Sequence, residues 1–278
     1  MTEAALNFTC FGGACTVLVD GSGPAGGPQQ AAETAKEKLI EWHARFSRFK
    51  PESELTRLNE DPRECVSVSL EMARFAQAVI DAAEATGGLV DATMLDEIED
   101  AGYRDDRLRG TLALPLALAM APPRLPAGPR PAARWREIEV DLDNREVTRP
   151  PGLKLDGGGV VKGLFADQLG EMLGGYRSYA VDCEGDLRIG GSEGVERPIA
   201  VTGPFGGELL HELVLSDGGV ATTSISKRSW FGKEGKPAHH LLDPATGRPA
   251  YTGVVQVTAV APTALEAEAL TKAALLSG

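Results

Sequence analysis

Two adjacent histidines, His239 and His240, begin the stretch of this chain that is richest in side chains able to do chemistry. Asp243-Pro and Thr246-Gly247 follow within one loop's length. An imidazole can accept or donate a proton near neutral pH, so the combination indicates acid–base work or ligand binding. Adjacent side chains of an extended chain point in opposite directions, so we expect only one histidine to face a site. Because buried polar groups need partners, we expect the stretch to form an exposed turn.

The segment from Asp156 to Gly163, Asp-Gly-Gly-Gly-Val-Val-Lys-Gly, is a candidate anion site. A short strand predicted over 153–156 ends there, and a helix predicted over 160–173 follows. Glycines let the backbone approach a ligand, and the helix start offers unpaired N–H groups with Lys162 in its first turn. The segment matches neither the phosphate-loop nor the dinucleotide fingerprint. Without other signals the pattern is more typical of an ordinary strand-to-helix turn.

Glu268 and Lys272 are four residues apart on the predicted last helix, for which Thr263-x-x-Glu266 is a capping signal. A glutamate four residues before a lysine is the favourable order for a surface ion pair, worth roughly 0.2–0.5 kcal/mol. Alternatively, both side chains point into a phosphate site near Lys162. The spacing alone leaves both interpretations open.

Two further polar groups are weaker candidates. Asp91 follows a predicted helix end and could accept hydrogen bonds from a nucleotide, although a cap with an Asx-type turn explains it equally simply. Thr222-Thr223-Ser224 offers three hydroxyls, for which a binding role and a polar strand edge are about equally plausible.

The formal net charge of −12 and the lack of any basic run argue against nucleic acid or an anionic membrane as the main partner. The four cysteines show no zinc or Cys-x-x-Cys spacing, which favours reduced thiols. The first residues lack a signal peptide or a lipidation motif, and no apolar run is long enough for a membrane span. We therefore expect a cytoplasmic protein that binds a small molecule or another protein.

The elements that must position these groups alternate irregularly between strands and helices, which favours a single α+β domain over residues 1–278, with mixed β-sheets and packed helices. Helices are predicted over 31–46 and 69–86, a hairpin over 137–149, and a surface connection over 113–134. The remaining strands are predicted over 8–20 with a bulge or close backbone approach at Gly12-Gly13, and over 178–182, 187–189, 199–202, 211–215 and 254–260.

Seven segments of the chain carry a resemblance when they are taken in order. They are Phe11-Gly12-Gly13, Phe46-Ser-Arg-Phe-x-Pro-x-Ser-Glu-Leu-x-x-Leu-Asn59, Gly88-Leu-Val-Asp-Ala-Thr93 with Gly102-Tyr103, Asp156 to Gly163, Gly185-Asp186, Thr223-Ser224, and His240-Leu-Leu-Asp-Pro-x-Thr-Gly247. In this order the chain resembles the ApbE family, the FAD-dependent protein FMN transferases, over nearly its whole length.

The resemblance implies a substrate, a cofactor and a reaction. The family binds FAD and a divalent metal, usually Mg²⁺, and a threonine hydroxyl of a target protein attacks the FMN-side phosphorus, releasing AMP. The residues then implied for FAD binding are Phe11, Leu89, Val90, Asp91, Tyr103, Asp156, Lys162, Thr223, Ser224 and His240. The implied catalytic residues are His240, Lys162 and Asp243.

The sequence departs from the family pattern at the implied metal site. The family uses a backbone carbonyl before the motif lysine, here Val161, with an aspartate and a threonine on the last helix, where this chain has Glu268 and Lys272. Glutamate oxygen can still bind a hard cation, but an ammonium has no acceptor. We therefore expect that the metal is lost and Lys272 replaces its charge, or that the metal lies elsewhere. Glu184 also stands where the family usually has glycine.

Three functions follow from this resemblance. The first is an enzyme that moves FMN from FAD onto a protein threonine or another acceptor. The second is an FAD-binding or carrier protein with little chemistry. The third is an FAD pyrophosphatase, in which water replaces the acceptor hydroxyl and the products are FMN and AMP.

Overall fold

The computed structural model describes residues 3–104, 112–232 and 235–278. Seven α-helices lie in these ranges: α1 (Pro28–Arg45), α2 (Glu54–Glu60), α3 (Leu70–Ala85), α4 (Leu95–Asp100), α5 (Leu114–Ala119), α6 (Val161–Leu173) and α7 (Ala264–Ser277). The strands are β1 (Ala4–Cys10), β2 (Gly13–Asp20), β3 (Cys65–Ser67), β4 (Glu139–Asp141), β5 (Glu146–Thr148), β6 (Ser178–Cys183), β7 (Asp186–Gly190), β8 (Arg197–Thr202), β9 (Leu209–Leu215), β10 (Gly218–Ser224), β11 (Ser229–Phe231), β12 (Pro237–His239), β13 (Leu242–Asp243), β14 (Arg248–Pro249) and β15 (Gln256–Ala261).

A six-stranded sheet with the order β1-β2-β6-β7-β10-β15 is the framework of the protein. All five of its strand pairs are antiparallel. Helices α1, α6 and α7 pack on this sheet, and smaller two- and three-stranded sheets surround it. The predicted α+β class is confirmed.

Strands β1 and β2 form a tight hairpin, which corrects the prediction of one strand with a bulge over 8–20. Cys10 pairs with Gly13, so Phe11 and Gly12 form the two-residue loop. Both have positive φ, 56° at Phe11 and 82° at Gly12. Two positive φ values match the right-handed twist of the strands and produce a tight reversal, which a glycine makes easier. The hairpin places the Phe11 ring at its tip.

The main core lies between the sheet and helices α1, α3 and α6. Val17, Val19 and Val181 of the sheet are buried against Leu39 of α1 and Phe165 of α6. On the other side, the β8–β9 hairpin covers the sheet through a separate cluster that includes Ile189 and Ile199. The sheet is therefore the middle of three layers.

The helix boundaries follow the capping signals in the sequence. The Ser69 hydroxyl accepts from the Met72 N–H at 3.1 Å, and the Thr263 hydroxyl accepts from the Glu266 N–H at 3.1 Å. These bonds satisfy N–H groups that the first turn of a helix leaves unpaired. Helices α6 and α7 approach closely at Gly163, where an added Cβ would lie 2.7 Å from the Ala264 carbonyl oxygen.

Two predicted elements differ from the structure. Residues 153–156 are not a ladder strand, because no strand among the described residues pairs with them. The predicted surface connection over 113–134 contains α5, whose Leu114 and Ala117 are buried. Thr222, Thr223 and Ser224 lie on β10, an interior strand between β7 and β15.

All four cysteines are free thiols. Within residues 3–104, 112–232 and 235–278, no helix is long and apolar enough to cross a bilayer.

Candidate functional site

Two cavities adjoin on the face formed by the end of β10, the starts of β7 and α6, and the segment before β11. The first, here called the aromatic cavity, has a volume of about 190 Å³. The second, the polar cavity, has a volume of about 720 Å³, within the roughly 300–1,000 Å³ typical of small-molecule sites. Five residues line both: Gly158, Lys162, Arg228, His240 and Lys272. We call these five the shared wall.

The aromatic cavity has rigid rings on one side. Tyr103 stacks on Trp230 with ring centroids 5.6 Å apart, and it meets Phe49 edge-on at 5.6 Å. The Arg48 guanidinium lies 4.9 Å from the Tyr103 ring centroid and 4.3 Å from that of Phe49. Gly102 permits this stack, because a Cβ there would lie 2.9 Å from the Trp230 Nε1 atom. Such a surface fits a planar aromatic ligand.

Asp91 contributes an unused hydrogen-bond acceptor to the aromatic cavity. Its Oδ1 atom accepts from the Thr93 N–H at 2.8 Å and hydroxyl at 2.7 Å, so the Asx-type turn is present. Its Oδ2 atom is buried without a hydrogen-bond partner among the described residues. A buried acceptor of this kind normally has a partner, so a ligand N–H is a fitting donor. Leu89 and Val90 line the same cavity.

Asp156 holds the glycine turn and orients Arg48. Its Oδ2 atom accepts from the Gly158 N–H at 3.1 Å, and its Oδ1 atom lies 3.0 Å from the Arg48 Nε. The turn residues Gly157–Gly159 lead into α6 and line the aromatic cavity. The predicted glycine-rich turn is therefore present beside the cavities, held by Asp156, and its use as an anion site stays a prediction.

Lys162, in the first turn of α6, forms an ion pair with Asp186 at the start of β7. The Nζ–Oδ2 distance is 2.7 Å, and Asp186 is almost completely buried. Burial alone favours the neutral amine, but the charges of Asp186, Glu268 and Glu184 raise the pKa of Lys162. Lys162 is therefore a fixed cation on the shared wall.

Glu268 and Lys272 form a buried pair, so the surface-pair interpretation was wrong. Glu268 is 0% exposed and Lys272 is 8% exposed. Lys272 Nζ lies 2.9 Å from Glu268 Oε1, and the Gly163 N–H donates to Glu268 Oε2 at 2.8 Å. Although burial raises the pKa of Glu268, the nearby Lys272 and Lys162 lower it, with a net lowering. The carboxylate is buried behind the cavities, whereas the ammonium lines both of them.

Arg228, which precedes β11, is the third cation of the shared wall. Its Nη2 atom lies 2.7 Å from Glu184 Oε2 and donates to the Phe11 carbonyl at 3.1 Å. Glu184 has a positive φ of 58°, in the left-handed region that favours glycine. The ion pair with Arg228 gives this unusual glutamate a structural role. It also ties the Phe11 hairpin tip to the site.

The two histidines lie on different sides of the chain. The predicted exposed turn is present over 244–247, but the histidines precede it, with His239 buried and His240 half-buried. His239 is 1% exposed, packs edge-on against Tyr251 and accepts from the Leu241 N–H at 3.3 Å. His240 lines both cavities. Burial lowers the pKa of His239 to about 4. Burial, with the charges of Arg228 and Lys272, lowers the pKa of His240 well below its ordinary value. Neutral imidazoles tolerate this burial, which the prediction did not consider.

Asp243, predicted as a catalytic residue, lines neither cavity, so the structure does not bring its side chain together with Lys162 and His240. Its Oδ1 atom accepts from the N–H groups of Gly128 at 2.9 Å and Ala245 at 3.1 Å. Its Oδ2 atom accepts from the Thr246 hydroxyl at 2.7 Å. The carboxylate is thus engaged in holding the turn between β13 and β14, which in turn supports the wall that carries His240.

The hydroxyls of β10 line the polar cavity and are themselves held in place. Thr223 and Thr271 share a hydrogen bond of 2.7 Å between their Oγ1 atoms. The Ser224 hydroxyl lies 2.8 Å from that of Ser226 and donates to the Val255 carbonyl at 3.1 Å. These contacts fix the polar surface next to Lys272.

The residues implied for a metal do not fit one. Val161 lines the aromatic cavity, but both oxygens of Glu268 already have partners, and Lys272 places an ammonium beside them. An ammonium offers only donors and repels a divalent cation. Among the described residues no cluster of three or more histidine, cysteine, aspartate or glutamate side chains could hold a metal ion.

Sequence reasoning missed two arginines of the site, Arg48 and Arg228. Arg48 lies inside the Phe46-to-Asn59 motif, and that motif was the available signal. Arg228 follows Thr223-Ser224 by a few residues, but nothing in its local sequence marks it as different from a surface arginine. Of the predicted binding residues, the structure brings Phe11, Leu89, Val90, Asp91, Tyr103, Asp156, Lys162 and His240 to the aromatic cavity, and Thr223 and Ser224 to the polar cavity.

Comparison with known proteins identifies relatives of the whole chain. The model of the ApbE family matches residues 11–278. A protein of Haemophilus influenzae named FAD:protein FMN transferase is 26% identical over 267 residues, covering 90% of this chain and 73% of its own length. One of the same name from Escherichia coli is 36% identical over 124 residues, covering 43% of this chain. The match spans only 35% of that relative's length, and 39% of the length of a relative from Treponema pallidum.

Solved structures show the same fold over the whole chain. The crystal structure of the ApbE protein from Thermotoga maritima superposes with a TM-score of 0.79 at 27% identity, covering 99% of this chain and 87% of that one. The flavin transferase ApbE of Vibrio cholerae gives a TM-score of 0.74 at 19% identity, covering 100% of this chain and 87% of that one. With the family model matching nearly every residue, the chain belongs to the ApbE family.

Proposed function

We propose that this protein transfers the FMN moiety of FAD to the hydroxyl of a protein threonine and releases AMP. The observation that carries the proposal is the shared wall, where two cavities of different chemistry meet at three fixed cations and a neutral histidine. FAD has the matching layout, because two aromatic nucleotide halves flank one pyrophosphate. The names of the relatives support the same substrate and a protein acceptor.

Binding in this proposal divides between the two cavities. The aromatic cavity takes one planar ring system against Tyr103, and the Asp91 Oδ2 atom accepts a hydrogen bond from a ring N–H. The polar cavity takes the remaining part of FAD along the β10 hydroxyls. The pyrophosphate then lies at the shared wall, where Lys162, Arg228 and Lys272 are close enough to both cavities to contact it.

The chemistry is a displacement at phosphorus. The acceptor oxygen forms a bond to the FMN-side phosphorus while the bond from that phosphorus to the bridging oxygen breaks, and AMP leaves with the bridging oxygen. Catalysis of such a step consists mainly of positioning and charge stabilisation. The three cations offset the charge that develops on the phosphate oxygens.

His240 is the proposed acceptor of the proton from the attacking hydroxyl. Its lowered pKa keeps it neutral near pH 7, and an imidazole must be neutral to take up a proton. No other histidine among the described residues lines both cavities. The proton can pass to the departing AMP or to water after the transfer.

Incubation with FAD tests this function against its two alternatives. The purified protein is mixed with FAD and a soluble cell extract, AMP and FMN are separated by chromatography, and covalent flavin is detected by fluorescence on a denaturing gel. We expect AMP together with a fluorescent protein band other than the enzyme. Free FMN in an amount equal to AMP would indicate a pyrophosphatase. FAD that stays intact and bound would indicate a carrier.

The proposed cellular setting is the cytoplasm, with FAD and an acceptor protein as partners. The four free thiols fit a reducing compartment. The acidic net charge of −12 fits neither a nucleic acid nor an anionic membrane as partner.

A further inference from the structure

We propose that the Lys272 ammonium, held by Glu268, takes the place of a bound divalent cation, so that this protein binds the FAD pyrophosphate without Mg²⁺. The inference rests on the proposed function, since it concerns how the same site neutralises the phosphates. Its basis is the contacts that the described residues make.

The geometry of the Glu268 carboxylate is the first argument. The carboxylate is fully buried, with one oxygen 2.9 Å from Lys272 Nζ and the other accepting from the Gly163 N–H at 2.8 Å. A divalent cation bound there would need free oxygen ligands, and its charge would lie beside that of the ammonium. The position of the cation is thus already filled by a side chain.

Burial is the second argument. A pair of this spacing on a solvated helix face contributes little, and taking two charges out of water costs more than their attraction commonly returns. Lys272 is nonetheless only 8% exposed, and it lines both cavities at the point where they meet. A buried ammonium directed at a ligand cavity is explained by an anionic ligand that pairs with it.

All three cations of the shared wall are built in the same way, each beside a carboxylate partner. Lys162 is paired with Asp186, Arg228 with Glu184, and Lys272 with Glu268, and each pair joins within 2.9 Å. Asp186 and Glu268 lie behind the cavities, while their lysines line them. The carboxylates hold the cations in place before the ligand arrives, which strengthens their effect on phosphate oxygens.

The test is a titration of the full chain with FAD, followed by flavin fluorescence, in EDTA and then with MgCl₂ in excess. We expect the wild-type dissociation constant for FAD to agree within about threefold between the two buffers. If binding needs no metal, MgCl₂ affects it only through the ionic strength. Lys272→Met, which keeps most of the side-chain volume, should weaken binding roughly 10- to 100-fold in EDTA. Mg²⁺ should not restore the affinity of this variant, because Glu268 alone remains as a side-chain ligand for the cation.

Two further variants complete the design. The double variant Glu268→Asp with Lys272→Thr should bind FAD weakly in EDTA and regain affinity with Mg²⁺. The same variant should bind Mn²⁺ in the absence of FAD by electron paramagnetic resonance, whereas the wild type should not. Lys154→Met is the matched control, since Lys154 pairs with Asp96 outside both cavities and should behave as wild type.

The outcomes separate this inference from the proposed function. FAD binding by the wild type that requires Mg²⁺, or unchanged binding by Lys272→Met, would overturn the role of Lys272 and leave the transfer function standing. A wild type that does not bind FAD in either buffer would overturn the proposed function, and this inference with it.

Discussion

The two sides of the short segment that carries His239 and His240 have different surroundings. On the rear side, His239 packs against Tyr251 and accepts from a backbone N–H, and it lines neither cavity. On the cavity side, His240 faces both cavities and the charges of Arg228 and Lys272. Identical residue types one position apart therefore have different tasks, one in holding the fold and one in the site.

Residue type and spacing identify a region whose side chains can do chemistry, but they do not tell which of those side chains act in the site and which hold the fold. Asp243 belongs with His239, because its carboxylate oxygens accept three hydrogen bonds that hold the turn. Lys162 belongs with His240, because its ammonium lines the cavities. The following four changes separate the cavity side from the rear side.

The largest effect is expected for His240→Ala. Loss of the proton acceptor should lower the rate of AMP release from FAD by about 10²- to 10⁴-fold, the usual contribution of general base catalysis. The melting temperature should change far less than this rate, because the Nδ1 atom has no hydrogen-bond partner among the described residues and the side chain's bond to the Arg228 backbone is a single one. The matched comparison is His239→Leu, which should keep most of the activity. Equal losses of activity in the two variants would contradict the division of roles.

A pH dependence of stability is expected from the rear side. His239 has a folded pKa of about 4, below its ordinary 6.5, so the unfolded chain binds a proton that the folded chain excludes. Its stabilising contribution is therefore complete above about pH 6.5 and is lost as the pH falls through 4. The loss is on the order of 3 kcal/mol. Denaturant unfolding between pH 7 and pH 4 measures it.

The control for this pH dependence compares two histidines. In His239→Leu the decrease over this range should become smaller by about the same amount. His211→Gln should keep the wild-type dependence, because His211 is exposed on β9. A His239→Leu variant with an unaltered pH profile would show that other groups cause the acid sensitivity.

Lys162→Ala probes the charge of the cavity side. The variant should weaken FAD binding by about 1.5–3 kcal/mol, the contribution of a hydrogen bond to a charged group. Calorimetric titration measures the affinity, and Lys154→Ala, outside both cavities, is the control. Affinity equal to that of the wild type would remove the start of α6 from the FAD site.

The smallest effect is expected for Asp243→Ala. Loss of its three hydrogen bonds should lower the free energy of unfolding by about 1–2 kcal/mol, since each net bond contributes roughly 0.5–1.5 kcal/mol and the site is partly solvated. Asp243→Asn keeps one acceptor oxygen and should recover part of this stability. Both variants should release AMP at rates within a few-fold of the wild type. A loss of activity as large as that of His240→Ala would return Asp243 to the catalytic group.

Much of the framework could be predicted because its signals are local. Ser69 and Thr263 mark helix starts by a side-chain cap that needs only the next three residues. The predicted hairpin over 137–149 is also present, as β4 and β5. In contrast, the loop of Phe11 and Gly12 was predicted as a bulge, because a pair of glycines fits either interpretation until the strand partner is known.

The charges of the site show the limit of the same reasoning. Lys162 and Asp186 are far apart in the sequence, and so are Arg228 and Glu184, so their pairing depends on tertiary contacts alone. Glu268 and Lys272 are close in the sequence, but their burial depends on how α7 packs against the sheet. The spacing predicted the contact between Glu268 and Lys272, but it did not predict that the pair is buried.

The close approach at Gly163 sets the width of the site. The two lysines stand on different helices, Lys162 on α6 and Lys272 on α7, and at Gly163 these helices meet without a side chain between them. A methyl group there would lie 2.7 Å from the Ala264 carbonyl oxygen and from the Leu265 nitrogen, so it would act as a wedge. The distance between the two ammonium groups therefore depends on the absence of a Cβ atom at Gly163. We expect a larger residue at position 163 to push α6 and α7 apart and so to move the two lysines away from each other.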